Sequence, residues 1–417
     1  MKVFKFGGAS VSTADKIKDV GAILQSCVGE KILIVISAMG KTTNALEEVV
    51  HAFYNKEKEK ALSLFNKIKD THIVLANELS DQPMDQLNDL FTEIEWLLHD
   101  KPVKGFDYYY DQVVCIGELL STAIISNYLN AVDIKNKWID VRDIFRTDDN
   151  FRDAKIDWAF TNSRVQNAIA PVFDDYGFII MQGFIGATDE NESTTLGREG
   201  SDYTGAVFAN LLNAESQTIW KDVKGVMNAD PKLYCKATWI KELNYKEVIE
   251  MAYYGAQVIH PKTIKPLQNK NIPLYVKSFI HPEEEGTVIH NKNIQPLPPI
   301  IVHKHNQVLI EISSKDYSFT NEGLTDDVNK LFHELKLRQN LTQITAISML
   351  CVVDDHADKI ENFGLGASKH FEVQITKGLT LLTIRHYGRE IVEELIDEKF
   401  MLVRQQTPGI IQVLIKS

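Results

Sequence analysis

In the opening stretch MKVFKFGGAS, a lysine at position 5 stands between two phenylalanines and just ahead of the pair Gly7-Gly8. Strand alternation puts Lys5 on the face of Val3 and opposite Phe4 and Phe6. An ammonium buried there alone would be costly, so either a carboxylate or a bound anion must meet it. Paired glycines after a strand ordinarily mean only a tight turn. Opening a helix beside that amine, however, the amides of Gly7 and Gly8 form an anion cradle, and the group reads as a phosphate site. Three later stretches offer similar chemistry. In LGREGSDYTGA (196–206), Arg198 and Asp202 flank Gly200 and Ser201 at the start of a helix, where Ser201 or Asp202 alone would be an N-cap. In KDVKGVMNADPK (221–232), Asp222 and Asp230 bracket a turn, and Asp-Pro is itself an ordinary turn signal. In YGAQVIHPKT (254–263), Lys262 follows Pro261 in the first turn of a helix, where a plain surface lysine is the alternative.

These residues need a scaffold, and its rhythm is strand, glycine turn, helix. Residues 2–6 form a short strand. KILIVISA (31–38) is a continuous apolar run suited to a strand covered on both faces. MGKTTN turns into a helical region running from about 44 to 130, with apolar residues three and four apart. Strands return at GFIIMQGFIGAT (177–188), SQTIWKDV (216–223) and IPLYVKS (272–278), with helices at 201–213, 245–254 and 261–269. The alternation predicts an α/β domain with a mainly parallel sheet.

Three prolines in QPLPPI (295–300) mark the boundary of that domain. Beyond it the pattern is β (308–313), α (325–337), β (QITAIS), β (MLCVVD), α (355–362) and β (FEVQIT), a βαββαβ unit. A shorter round comes next: LTLLTIR, a helix at 389–397, FMLVRQ and GIIQVLIK, lacking a final helix and strand. IIVH (300–303) supplies a strand to the second unit if one is nested in the other. Two such units at the end of an enzyme suggest a regulatory appendage.

The 417 residues leave room for two or three domains, and 44% hydrophobic content supports a sizeable core. A net charge of -12 disfavours nucleic acid or an anionic membrane as partner, so an anionic substrate must be held by a local cationic cluster. Cys27, Cys115, Cys235 and Cys351 form no C-x-x-C pair, which argues for a reducing compartment and against zinc or a disulfide frame. KVFKFGGAS lacks an apolar signal core, and strings such as ILIVI are too short to span a bilayer. A cytoplasmic protein without a membrane partner is expected.

In this order the four stretches resemble the aspartate kinase family, within the amino-acid kinase fold. Its patterns are K-F-G-G-T-S, G-R-G-G-S-D, T-D-V-x-G-[IV]-x-x-x-D-P-R and H-P-K-T. SAMGKTTN (37–44) and GELLST (117–122) extend the likeness over residues 2 to about 280. The resemblance implies an amino-acid kinase domain over 1–294, its mainly parallel sheet sandwiched by helices. It also implies two C-terminal α+β ferredoxin-like ACT domains over 300–417, the first at 307–376 and the second at 299–304 plus 379–417. The implied activity is transfer of the γ-phosphoryl group of ATP to the β-carboxylate of L-aspartate, the opening of lysine, threonine and methionine biosynthesis. By resemblance Lys5 and Asp202 are catalytic, with Lys5 on the transferring phosphoryl group and Asp202 orienting it. Ser37, Thr43, Glu118, Arg198 and Ser201 bind aspartate, Arg198 as a fork for the α-carboxylate and Glu118 as partner of the ammonium. Lys5, Gly7, Gly8, Lys221, Asp222, Asp230, Lys232 and Lys262 hold the nucleotide. ATP with Mg²⁺ is the only cofactor implied, and no side chain is assigned as a metal ligand. The ACT pair implies a homodimer or dimer of dimers, with lysine or threonine as effector.

The sequence departs from the patterns at four places. Ala9 replaces a threonine, Glu199 replaces the second glycine of G-R-G-G, Lys221 replaces a threonine, and NADPK stands for T-D-P-R. Glu199 is the most consequential, because it sets a side chain and a negative charge beside an anion site. All four leave Lys5, Glu118, Arg198, Asp202 and Lys262 in place, so activity with altered nucleotide affinity is expected. Two other readings stay open: a kinase of the same fold acting on glutamate, acetylglutamate, carbamate or a nucleoside monophosphate, and a catalytically silent amino-acid sensor. In the tail, SSKDYSFTNEG departs from the usual S-x-x-G-F-L, and Thr342 occupies a place where lysine-sensitive members carry an acidic residue. Weak or absent feedback is expected.

Overall fold

The computed structural model describes residues 1–416 except Pro83, Gln295 and residues 316–323. Most of the effector-loop stretch SSKDYSFTNEG therefore lies outside the described residues. The described chain divides into two compact units: Met1–Val226 with Trp239–Ile249 and Ile259–Ile294, and Met227–Thr238 with Glu250–Val258 and Gln295–Ser417.

The first unit is built on an eight-stranded sheet. In chain order its strands are β1 (Lys2–Phe6), β2 (Ile32–Ile36), β3 (Asn136–Trp138) and β4 (Phe178–Gln182). A small antiparallel hairpin, β5 (Ile185–Ala187) and β6 (Ser193–Thr195), stands apart from it. Then come β7 (Ser216–Lys221), β8 (Glu242–Asn244), β9 (Leu274–Ser278) and β10 (Thr287–His290), giving the order β3-β4-β2-β1-β7-β9-β10-β8. Only the β9–β10 pair is antiparallel. Every residue of β2 is buried, as a strand covered on both faces requires. Helices Thr42–Tyr54, Lys58–Leu79, Asp85–His99, Phe106–Val114 and Ile116–Ala131 fill the helical region read from the spacing. The run Phe106–Ala131 is long and apolar enough by composition to cross a membrane, yet 89% of its apolar window is buried inside the protein. That is how a core helix is placed. Counting unbroken apolar strings passes over it, because Glu118, Ser121 and Asn127 interrupt the run.

The second unit carries a six-stranded antiparallel sheet, β12-β13-β11-β14-β16-β15. Its strands are β11 (Ile300–Ser314), β12 (Gln339–Ile344), β13 (Ser348–Asp354), β14 (Phe371–Arg385), β15 (Met401–Thr407) and β16 (Ile410–Lys416). Two points differ from the sequence reading. Strand QITAIS is displaced: β12 begins at Gln339, and Thr345–Ile347 turn the chain into β13. IIVH and VLIEIS are one strand, as are FEVQIT and LTLLTIR. The register of β11 against β14 slips between Lys304 and Leu309, where Asn306 and Gly378 take positive φ. A bulge of this kind bends a ladder without ending it, so one pair of long strands serves both halves.

Val308, Ile310, Ile312, Met349, Cys351 and Val353 pack with helices Leu324–Glu334 and Ala357–Ala367 through Val328, Phe332, Ile360 and Phe363. The other half buries Ile301, Leu382, Ile384, Ile411 and Val413 under helix Arg389–Leu395. Ala229, Tyr234 and Ala237 from Met227–Thr238 join the same cluster. That segment precedes the proline-rich run, yet it packs with strands that lie beyond it.

Candidate active site

In open α/β sheets ligands gather beyond the carboxyl ends of the parallel strands, and the site begins there. Lys5 is the fourth residue of β1, in register with Val35 of β2 and Ile219 of β7. Its Nζ lies 2.6 Å from Oδ1 of Asp202, and both side chains are nearly buried. Asp202 sits in the first turn of helix Gly200–Leu211. The carboxylate required to meet a buried lysine is therefore present within the protein.

Around this pair lies a cavity of about 410 Å³, lined by Lys5, Ser37, Thr43, Glu118, Arg198, Ser201 and Asp202 among others. All seven residues expected to be catalytic or to bind the acceptor line it. Two close backbone approaches occur next to lining residues. A Cβ on Gly8 would come 2.5 Å from the Ala38 carbonyl, and one on Gly183 would come 2.5 Å from Ser201 Cβ. Gly40 N donates to Gly8 O at 2.9 Å, locking the two glycine turns together. A Cβ on Gly7 would sit 3.5 Å from Lys5 Nζ, so the amine lies against that turn.

Glu118 stands in the first turn of helix Ile116–Ala131 and is buried. Ala38 N donates to its Oε1 at 3.3 Å, while its buried Oε2 has no hydrogen-bond partner. Burial pushes the carboxyl up to about 8, opposed by the hydrogen bond from Ala38 N–H and the charge of Lys5. A buried acceptor oxygen without a donor, on a residue that lines the cavity, suits a cationic group from outside. Arg198 is exposed, and among the described residues it forms no salt bridge.

Glu199 takes φ 53° and ψ 28°, the left-handed conformation that glycine adopts freely. Its Oε2 accepts from His260 N at 2.9 Å, directing charge to the start of helix Pro261–Asn269, where an anion is favoured. The charge added beside the anion site is thus partly taken up within the protein.

The residues expected to hold the nucleotide are less gathered. Lys221 ends β7 and Asp222 is exposed in the following turn; neither lines the cavity. Lys262 pairs with Asp153. Asp230 and Lys232 belong to the second unit, where Asp230 Oδ1 accepts from Lys232 N at 2.9 Å, the turn chemistry its sequence context allows. Sequence reasoning missed Tyr110, Arg152, Phe184, Thr195 and Gly197, all of which line the cavity. Gly197 opens the G-R-G-G-S-D stretch without having been assigned a role, and no motif pointed to the other four. Arg152 and Phe184 take positive φ, which their residue types do not announce.

The amino acid kinase family model matches residues 1–278. Lysine-sensitive aspartokinase 3 of Escherichia coli is 33% identical over 354 residues, covering 84% of this chain and 78% of that protein. The structure of E. coli aspartokinase III with aspartate and ADP (R-state) superposes with a TM-score of 0.84 at 27% identity, covering all of this chain and 96% of the other. The same enzyme with lysine and aspartate (T-state) gives 0.80 at 27% identity, with the same coverage.

Removing the amine from the buried pair leaves the Asp202 carboxylate without its cation. Lys5→Met is expected to lose about 3–5 kcal/mol of stability, and Lys5→Met/Asp202→Leu to regain most of it. Denaturant unfolding reads both; a single variant as stable as the parent would mean that the pair is not desolvated.

Proposed function

This chain belongs to the amino acid kinase family as an aspartokinase, and from that premise we infer what its residues do in passing the γ-phosphoryl group of ATP to the β-carboxylate of L-aspartate. One observation carries the reading: a single cavity holds the Lys5–Asp202 pair, the Arg198 guanidinium and the unpartnered Oε2 of Glu118. These suit, in turn, a phosphoryl group, a carboxylate and an ammonium.

The acceptor carboxylate, with an ordinary pKa near 3.9, is ionised at neutral pH, so the reaction needs no general base. The difficulty is bringing two anions into line and stabilising the charge that spreads over the transferring group. Lys5 offsets that charge, and its place against the Gly7-Gly8 turn supports the role. Asp202 holds the amine in place until phosphate takes its share. Arg198 forks the α-carboxylate, for which a planar guanidinium is better suited than an ammonium. Glu118 receives the substrate ammonium, and Ser37, Thr43 and Ser201 complete the acceptor pocket. We assign the nucleotide to Gly7, Gly8, Lys221, Asp222, Asp230, Lys232 and Lys262 on the likeness of their stretches to family motifs. Lys262 must exchange Asp153 for phosphate.

Among the described residues no group of three His, Cys, Asp or Glu side chains could hold a metal. Mg²⁺ needs only one or two protein carboxylates when it travels with phosphates, and Asp202 is the cavity carboxylate fitted to that. When bound, the ion neutralises phosphate charge. The engagement of Glu199 with His260 weighs against a silent sensor, because the departure most hostile to anions is partly compensated.

Against the weak or absent feedback expected from Thr342 and the SSKDYSFTNEG departure, the tail binds an amino-acid effector, with lysine favoured by similarity to a lysine-sensitive relative. It also joins chains into a homodimer or dimer of dimers, a role supported by edge strands β12 and β15, which have one neighbour each. The cytoplasm suits the four free cysteines, and the product would feed lysine, threonine and methionine synthesis.

Trapping the acyl phosphate as a hydroxamate should reveal ATP-dependent turnover of aspartate, abolished in Lys5→Ala. Turnover of acetylglutamate, glutamate or carbamate in place of aspartate would overturn the acceptor assignment. The pH dependence follows from Glu118, which carries a proton below about pH 8, whereas the ammonium is met by the carboxylate. KM for aspartate is therefore expected to fall as pH rises from about 7 to 8.5, and Glu118→Gln to raise KM and flatten that slope. Lysine titrated against the rate should inhibit; no response to lysine at any concentration would leave the tail without that effector.

A further inference from the structure

Besides Glu118 and Asp202, a further buried carboxylate lies beside the cavity and takes no part in the chemistry above. Asp111, in helix Phe106–Val114, is completely buried. Its Oδ2 accepts from the backbone N of Arg152 at 2.9 Å and of Thr195 at 2.8 Å, and its Oδ1 accepts from Thr195 Oγ1 at 2.7 Å. All three contacts offer hydrogens to the carboxylate. They come from two segments remote in sequence, the turn at 149–153 and the end of β6. Those segments also meet directly, Ala154 N donating to Thr195 O at 3.0 Å.

Both clamped residues line the cavity, as does Tyr110, the neighbour of Asp111. Arg152 is held at φ 70°, a backbone strained for arginine. Its guanidinium lies 4.4 Å from the Tyr110 ring centroid and pairs with Asp107 at 3.0 Å. Thr195 leads within three residues to Arg198. Burial raises the Asp111 carboxyl to about 6, against the pull of the Arg152 and Thr195 hydrogen bonds, so near neutral pH it remains mostly the acceptor these groups need.

We propose that Asp111 is a positioning residue for the acceptor half of the site. It fixes Arg152 and Thr195, and through Thr195 the loop of Arg198, against helix Phe106–Val114. The proposal rests on the reading that the cavity takes aspartate with Arg198 on its carboxylate. Asp111 touches neither substrate. Asparagine would offer one acceptor oxygen where two are used and would set an N–H₂ group against donors. The wall would then loosen on the acceptor side, while Lys5, Gly7 and Gly8 keep their supports.

The test measures KM for aspartate and for ATP separately, with kcat and thermal unfolding, on the full chain. For Asp111→Asn, KM for aspartate is expected to rise about tenfold or more, with KM for ATP within about twofold and kcat within about threefold. Asp107→Asn, which removes only the exposed ion pair to Arg152, should move KM for aspartate less than about threefold. Equal rises in both KM values, or none, would overturn the proposal. Should Asp111→Asn fail to fold, Thr195→Val removes only the hydroxyl that Asp111 accepts. It must still raise KM for aspartate several-fold, and its leaving that KM unchanged overturns the proposal too. A parent protein unable to phosphorylate aspartate would instead sink the functional reading, an outcome distinct from active parent and variants with equal KM.

Discussion

An ammonium group near the centre of a parallel sheet needs a carboxylate within reach, and that requirement organises the first unit. Lys5 can be nearly buried because helix Gly200–Leu211 starts where Asp202 meets it at 2.6 Å. The helix can start there because residue 183 has no side chain to push Ser201 away. Close packing at one backbone position thus permits an ion pair at another. The pair in turn keeps a charged amine at the carboxyl edge of the strands, where an anion can compete for it. A buried ion pair adds little to stability relative to apolar packing; here it stores a cation where water is scarce.

Much of this was legible in the sequence because the relevant signals are local. The run ILIVI declares a strand covered on both faces, and three- and four-residue spacing declares the helices between Thr42 and Ala131. The lysine between phenylalanines announces its own need for a partner. What stayed hidden depends on backbone conformation and distant register. Nothing in the residue type of Arg152 or Phe184 announces a left-handed φ, yet that conformation accompanies their places in the cavity wall. Asp111 belongs to no motif, and only the arrival of β6 and the 149–153 turn makes it a hub. In the tail, β11 and β14 each read as two strands because an irregularity at Asn306 and Gly378 interrupts their apolar alternation.

Glu199 illustrates how a local departure is absorbed. A glutamate in a glycine position brings both backbone strain and unwanted charge. The charge is directed to His260 N, where a helix begins and an anion is stabilised. The strain remains, of order 1–2 kcal/mol, borne by a loop already fixed on either side by Thr195 and by helix Gly200–Leu211.

The segment Met227–Thr238 bears on how far this protein is modular. Asn228 closes the loop on itself, its N donating to Thr238 O at 2.9 Å and its Oδ1 accepting from Thr238 N at 2.6 Å. Its Nδ2 donates to Pro299 O, and its own carbonyl accepts from Ile301 N. Tyr234 and Ala237 then cover the apolar sheet surface of Ile301, Leu382, Ile384, Ile411 and Val413. A gene ending at the proline-rich run would encode this cover with nothing beneath it, and a transplanted tail would arrive with its core open to water. Recombination at the apparent linker would therefore damage both products, so the two halves are bound to be inherited together.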